Sequence, residues 1–270
     1  MTFNFSTAGL SSKAAINMQF KLTFPILAVL STAFAAAIPA QSPNEQFLAK
    51  RAVSGRSTFY GGNVQGGTCS FSTYTLPSGL YGTAFSGSAW KTAANCGGCV
   101  EVTHGGKTIT AMVGSLAPRP RSRRSLTDSH PQIVDKCPEC DEGHLDLFED
   151  AFTALGASKS EGIIDTSYNF VHCPKVTGPL TIHLKSGVSQ YWFSAQVVNA
   201  NRRTSKLEVS TDGKSWKAAT RTEYNFFEIP SGVGASKASV RVTSEDGAVV
   251  VVKDVAMTAD LSVKGPSNYQ

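Results

Sequence analysis

The sequence predicts an all-β protein in two parts, a glycine-rich first half that carries every cysteine and a following β-sandwich of about 90 residues. Three observations predict it. Short runs of β-prone residues recur between glycine- and serine-rich turns. All six cysteines (Cys69, Cys96, Cys99, Cys137, Cys140 and Cys173) precede residue 174. Helical periodicity appears in one brief stretch, where Phe148, Ala151, Phe152 and Leu155 fall at i, i+3, i+4 and i+7 before a stop at Gly156.

With 41% hydrophobic and 17% charged residues in 270, the composition excludes a disordered, collagen-like or multi-pass membrane chain. The net charge of +5 invites a nucleic-acid or membrane partner. However, residues 1–51 and 113–132 contribute +3 each and the remainder sums to −1, so neither partner is expected. That remainder is acidic before residue 175 and basic after it, a further sign of two domains.

From the N-terminus, residues 1–17 read as a mis-assigned extension and Met18 as the initiator. Residues 18–37 have a lysine, a short apolar stretch and an A-x-A array, the pattern of a signal peptide, so a secreted, extracellular protein is expected. Residues 38–51 read as a propeptide ending in the dibasic Lys50-Arg51. In the first domain, 52–174, β-type runs fall at residues 57–60, 80–85, 100–104, 108–113, 133–135 and 168–172. Residues 113–132, VGSLAPRPRSRRSLTDSHPQ, interrupt two strands without any hydrophobic period, which fits a retained 60-nucleotide intron or, alternatively, a basic surface loop. Six cysteines behind an export signal read as three disulfides. Cys96-x2-Cys99 and Cys137-x2-Cys140 also have the spacing of a four-cysteine zinc site, and the oxidising route favours disulfides over that metal. In the second domain, 175–270, Leu180, Ile182 and Leu184 alternate, as do Leu207 and Val209, and Asp212-Gly213 and Asp246-Gly247 signal two-residue hairpins. Trp216 is expected in the core.

The segments GRSTFYGG (55–62), NCGGCVEV (95–102) and VDKCPECDEGHLDLFEDAF (134–152), followed by the sandwich, resemble the expansin family, most closely fungal expansin-like proteins. The resemblance runs in order over residues 54–258, apart from the interruption. It implies a six-stranded double-psi β-barrel related to family 45 glycoside hydrolases, then an immunoglobulin-like cellulose-binding β-sandwich. It also implies a monomer without cofactor or metal that binds wall polysaccharide (cellulose, xyloglucan or chitin) and loosens it without hydrolysis. An endoglucanase or lytic transglycosylase on the same barrel, and a barwin-like binding or effector module, are the alternatives.

Residue by residue, the resemblance puts a polysaccharide groove at Asp146, Asp135 and Thr58, with Tyr60, His144 and Glu139 beside it. Carboxylates next to a hydroxyl suit hydrogen bonding to a glycan, and a protonated one can serve as a general acid. Where the family has a groove tyrosine this chain has Cys137. The implied disulfides are Cys69–Cys96, Cys99–Cys173 and Cys137–Cys140. On the sandwich, the family's line of stacking aromatics matches Tyr191, Trp192 and Tyr224, flanked by Lys185. Tyr191 replaces a tryptophan, so weaker binding to crystalline cellulose is expected. Adjacent residues in a strand point to opposite faces, so Tyr191 and Trp192 cannot both stack unless the backbone bulges there.

Overall fold

The computed structural model describes residues 52–110 and 132–270. The expected extension, signal peptide and propeptide, and the interruption as far as residue 131, lie outside the described residues.

The first domain contains β1 (Val53–Tyr60), β2 (Gly82–Ser86), β3 (Cys99–His104), β4 (Lys107–Thr110), β5 (Gln132–Cys137), β6 (Leu145–Phe148), α1 (Glu149–Ala154), one turn of 3-10 helix (Lys159–Glu161) and β7 (Ile164–Val171). The strands lie in the order β4-β3-β5-β2-β6-β1-β7, and β7 pairs back onto β3. Six strands therefore close a ring, the double-psi barrel, with β4 attached outside it. Closure removes the sheet edges and turns one face of each strand inward. Ile133, Leu145, Leu147 and Phe152 fill the interior and are essentially inaccessible to solvent. Gln132, placed by the sequence at the end of the interruption, is the first residue of β5, and its amide donates to Gly97 O at 2.9 Å. In α1 the predicted stripe buries Ala151, Phe152 and Leu155, and Gly156 ends the helix at φ +84°, a conformation glycine adopts without strain.

Three disulfides, Cys69–Cys96, Cys99–Cys173 and Cys137–Cys140, consume all six cysteines. No thiolate is left for the zinc alternative.

The second domain has two antiparallel sheets. One is ordered β11 (Lys217–Ala218), β10 (Thr204–Ser210), β14 (Lys237–Ser244), β15 (Val249–Ala256); the other β12 (Thr220–Arg221), β13 (Phe227–Ile229), β9 (Phe193–Val198), β8 (Thr181–Leu184), β16 (Ser262–Lys264). Leu180, Ile182, Leu184, Leu207 and Val209 point between the sheets, as their alternation predicts. β9 is buried along its whole length because both of its faces are covered. Phe193, Ala195 and Val197 face the sandwich core, while Gln196 donates to Cys69 O at 2.7 Å and Val198 joins the barrel core. Trp90 Nε1 donating to Glu223 O at 3.0 Å, Arg203 donating to Asn95 Oδ1 at 2.7 Å and Arg221 donating to Ala93 O at 2.7 Å add to this interface.

Three expectations are corrected. Trp216 is not in the core; it stands half-buried on the outer face of its sheet beneath the Arg241 guanidinium, 4.2 Å from its ring centroid. Asp212-Gly213 is not a two-residue hairpin, because Asp212 caps the longer loop between β10 and β11, accepting from the Lys214 and Ser215 amides at 2.7 Å. Asp246-Gly247 likewise sits in a loop of four residues, with β14 ending at Ser244 and β15 starting at Val249. In both places a side chain that hydrogen-bonds its own loop outweighs the two-residue turn preference.

Candidate functional site

Strand register assembles the barrel site. Thr58 on β1 pairs with Asp146 on β6, Asp146 with Ala84 on β2, and Ala84 with Asp135 on β5. Four adjacent strands therefore line up Thr58, Asp146, Ala84 and Asp135. Strands lie about 4.8 Å apart, which puts the two aspartate backbones about 10 Å apart. The register of β2 against β5 shifts at this point, making Val134 the extra residue of a bulge beside Asp135.

Thr58 donates its hydroxyl hydrogen to Asp146 Oδ1 at 2.6 Å, and its oxygen lies 3.0 Å from His144 Nε2. With that hydrogen committed to Asp146, the His144 ring nitrogen is the donor to Thr58. Burial pushes the Asp146 carboxyl above the usual carboxylate range; the Thr58 hydrogen bond and His144 pull it down, and Glu139 and Asp135 push it up. Burial likewise lowers His144, so its neutral ring is favoured. Asp135 is held differently. Its Oδ1 accepts from the amides of Thr68 at 2.7 Å and Lys136 at 2.8 Å, and its Oδ2 from the Tyr60 hydroxyl at 3.4 Å. Tyr60 is kept in its phenol form by burial first, then by Asp135 and Asp146. Glu139 is exposed and acts on Asp146 only through space. Cys137 and Cys140 pack under Tyr60 with Ala84, so a disulfide floors the groove at the tyrosine-substituted position.

On the sandwich, Lys185, Trp192 and Tyr224 come together. The Lys185 ammonium lies 4.4 Å from the Tyr224 ring centroid and 5.8 Å from that of Trp192. Glu228 anchors the group, accepting from Tyr224 OH at 2.8 Å and Ser194 Oγ at 3.1 Å, with the ammonium 3.9 Å away. Tyr191, next to Trp192 in sequence, is 74% exposed. It precedes β9 in a turn closed by Ser189 and Trp192, so strand alternation does not govern the pair. Gly232 makes this turn possible, since a Cβ there would lie 2.1 Å from Gln190 O.

A cleft of about 540 Å³ connects the two sites. Gln65, Gly67 and Ser72 line it from the barrel, and His183, Lys185 and Tyr224 from the sandwich. At Gly67 a Cβ would lie 2.6 Å from two carbonyl oxygens and 3.1 Å from the Asp135 carboxyl carbon, so only glycine lets the chain pass this close to the carboxylate. The cleft thus reaches Lys185 and Tyr224 on the sandwich side, and at Gly67 its barrel wall backs onto the Asp135 carboxyl.

Sequence reading missed β6 as a strand, along with Thr68 and Glu228. The signal was present in each strand, because Leu145 and Leu147 flank Asp146, and Phe227 and Ile229 flank Glu228, with strict inward alternation. Among the described residues, no group of three or more His, Cys, Asp or Glu is arranged to hold a metal ion, and no helix is long and apolar enough to cross a membrane.

No protein-family model matches the chain. Among curated proteins, Expansin-like protein 5 of Dictyostelium discoideum is 28% identical over 239 residues, covering 86% of this chain and 91% of the relative. Expansin-YoaJ of Bacillus subtilis is 35% identical over 118 residues, 44% of this chain and 49% of that protein. Among solved structures, the apo expansin of Clavibacter michiganensis aligns with a TM-score of 0.65 at 30% identity over 82% of this chain and 98% of its own. A mutant of the same expansin in complex with cellohexaose aligns equally well. Similarity of this extent, across both domains, makes the chain a member of the expansin family.

Proposed function

We propose that this protein is secreted, grips neutral wall β-glucan along the track from Asp146 to Trp192, and loosens the wall by displacing glucan–glucan contacts without hydrolysis. One observation carries the reading: the residue facing Asp146 across the strand pair is Thr58, not a second carboxylate. Glycosidases pair an acid with a nucleophile about 5–5.5 Å away or a water-activating base about 6.5–9.5 Å away. Asp135 lies two strands off, and two backbone amides and Tyr60 already occupy its oxygens. What the groove offers a glycan is a half-buried carboxyl, a fixed carboxylate, a phenol and an imidazole, all of them hydrogen-bonding partners for sugar hydroxyls. Lys185, Trp192 and Tyr224 add stacking surface, and the cellohexaose complex of the Clavibacter relative supports a β-glucan ligand. Three disulfides and the export pattern of residues 18–37 support secretion.

One observation favours a second reading. Burial raises the Asp146 carboxyl, the direction a general acid requires, and a lytic transglycosylase, whose acceptor is a sugar hydroxyl, can work with one acid. Incubating the protein with amorphous cellulose and with chitin and measuring new reducing ends and non-reducing products, against an Asp146→Asn variant, separates the two. The loosening reading expects no release above the variant, together with weakening of wall strips that the variant lacks. Release that disappears in the variant makes the protein lytic.

A further inference from the structure

Beside the groove the barrel opens a second cavity, of about 840 Å³, within the roughly 300–1,000 Å³ of ligand-binding clefts. It lies between the loop after β1, residues 61–65, and the start of α1. Two of its wall residues tie it to the glycan track. Phe148 is in register with Tyr60 on the paired strands and meets its ring edge-on, centroids 5.3 Å apart. Gln65 lines both this cavity and the cleft between the domains. The cavity therefore opens off the side of the track, between Tyr60 and the interdomain cleft.

Its lining suits a neutral sugar. Phe148 and Tyr74 supply ring surface, Glu149 and Asp150 acceptors, and Thr153 a hydroxyl. Lys159 is paired with Glu149, so among the described residues Asp150 has no cation paired with it and disfavours an acidic sugar. Burial holds the Asp150 carboxyl above its ordinary range, in keeping with an acceptor already partly out of water. Two glycines shape the mouth. Gly61 leaves open space where a side chain would stand, and at Gly62, with φ +76°, a Cβ would strike the Phe148 ring at 2.5 Å.

We propose that this cavity is a branch pocket: the groove holds a β-glucan backbone while the cavity takes a neutral one- or two-sugar side chain of that backbone, making a branched neutral β-glucan the preferred ligand. The proposal rests on the glycan-binding reading above.

Calorimetric titration of the full chain with cellohexaose, and with a xylose-branched cello-oligosaccharide of equal backbone length, tests it. The branched ligand is expected to bind about tenfold tighter, as one or two added hydrogen bonds give. Gly61→Trp fills the mouth from the loop and Thr153→Trp from the helix, so misfolding of one still leaves the other. Each is expected to bring the branched ligand down to the affinity of cellohexaose, with cellohexaose itself changed less than twofold. Equal binding of both ligands to the unaltered chain, an undiminished preference in the folded variants, or loss of both ligands in them, overturns the branch pocket and leaves the glycan-binding reading standing. Binding of neither ligand to the unaltered chain overturns both.

Discussion

Thr58→Val removes one hydroxyl and changes little else, which isolates the bond that orders the barrel site. Thr58 donates to Asp146 at 2.6 Å and lies 3.0 Å from His144, on the middle of a paired strand. A hydrogen bond to a charged group contributes about 1.5–3 kcal/mol, and one between neutral groups about 0.5–1.5 kcal/mol. The cost of the substitution should therefore depend on pH. The bond favours the ionised carboxyl, and the unfolded state is the same with or without the hydroxyl, so the extra stabilisation is present once Asp146 is ionised in the fold and is lost as pH falls through the raised folded-state pKa. Burial places that folded value above the ordinary range, so at pH 3 Asp146 is protonated and only the neutral bond remains. Urea unfolding should show Thr58→Val costing about 1 kcal/mol more at pH 7 than at pH 3. Thr58→Ser, which keeps the hydroxyl, should show little of this pH dependence. A cost that is the same at both pH values, or a serine variant that behaves like valine, refutes the reasoning.

Trp192→Ala should weaken cellohexaose binding roughly ten- to hundredfold, through loss of a stacking face beside Lys185, whereas Tyr191→Ala, which removes a ring left 74% exposed, should cost less than about threefold. Replacing each disulfide by a serine pair should destabilise in the order of loop length. The separations of 74, 27 and 3 residues correspond to about 4.5, 3.5 and 1.5 kcal/mol of chain entropy for Cys99–Cys173, Cys69–Cys96 and Cys137–Cys140, readable by denaturant titration. Gly67→Ala forces a contact of 2.6 Å with backbone oxygens to relax and should cost about 1–3 kcal/mol. Because the same loop carries the Thr68 amide to Asp135, cellohexaose affinity should fall with it; unchanged affinity would show that Asp135 does not need that support.

What was legible in the sequence was local or depended on matching motifs. Alternation at Leu180, Ile182 and Leu184, the helical stripe of α1 and its glycine stop all became the expected elements, because in each the buried face repeats with the period of the element. β6 was hidden because HLDLF runs straight into the helix, so a four-residue strand shares its apolar residues with a helical stripe. Trp216 is expected in the core because hydrophobicity alone sends a tryptophan inward, whereas an arginine two strands away in the same sheet can cover its ring from outside. The pairing of Thr58 with Asp146 could not be read from spacing at all. It depends on parallel register between strands separated by most of the domain, and register is a property of closure rather than of either strand. The cleft at Gly67 was equally hidden, since its walls come from both domains.

β9 explains why the two halves act as one. A strand covered on a single face alternates, but FSAQVV is buried at every position, because its outward residues are bound to Glu228, the Cys69 carbonyl and the barrel core. The groove and the aromatic cluster are therefore held at a fixed separation. A glucan that spans both gains the second contact as an intramolecular step, but only in the conformation the rigid track allows. A chain packed in a wall has neighbours on the faces that the track must cover, so under the proposed function a detached chain is bound better than a packed one. A ligand shifts an equilibrium only by its differential affinity for the two states. In the proposed mechanism that difference is the work of loosening, and no covalent step is needed to supply it.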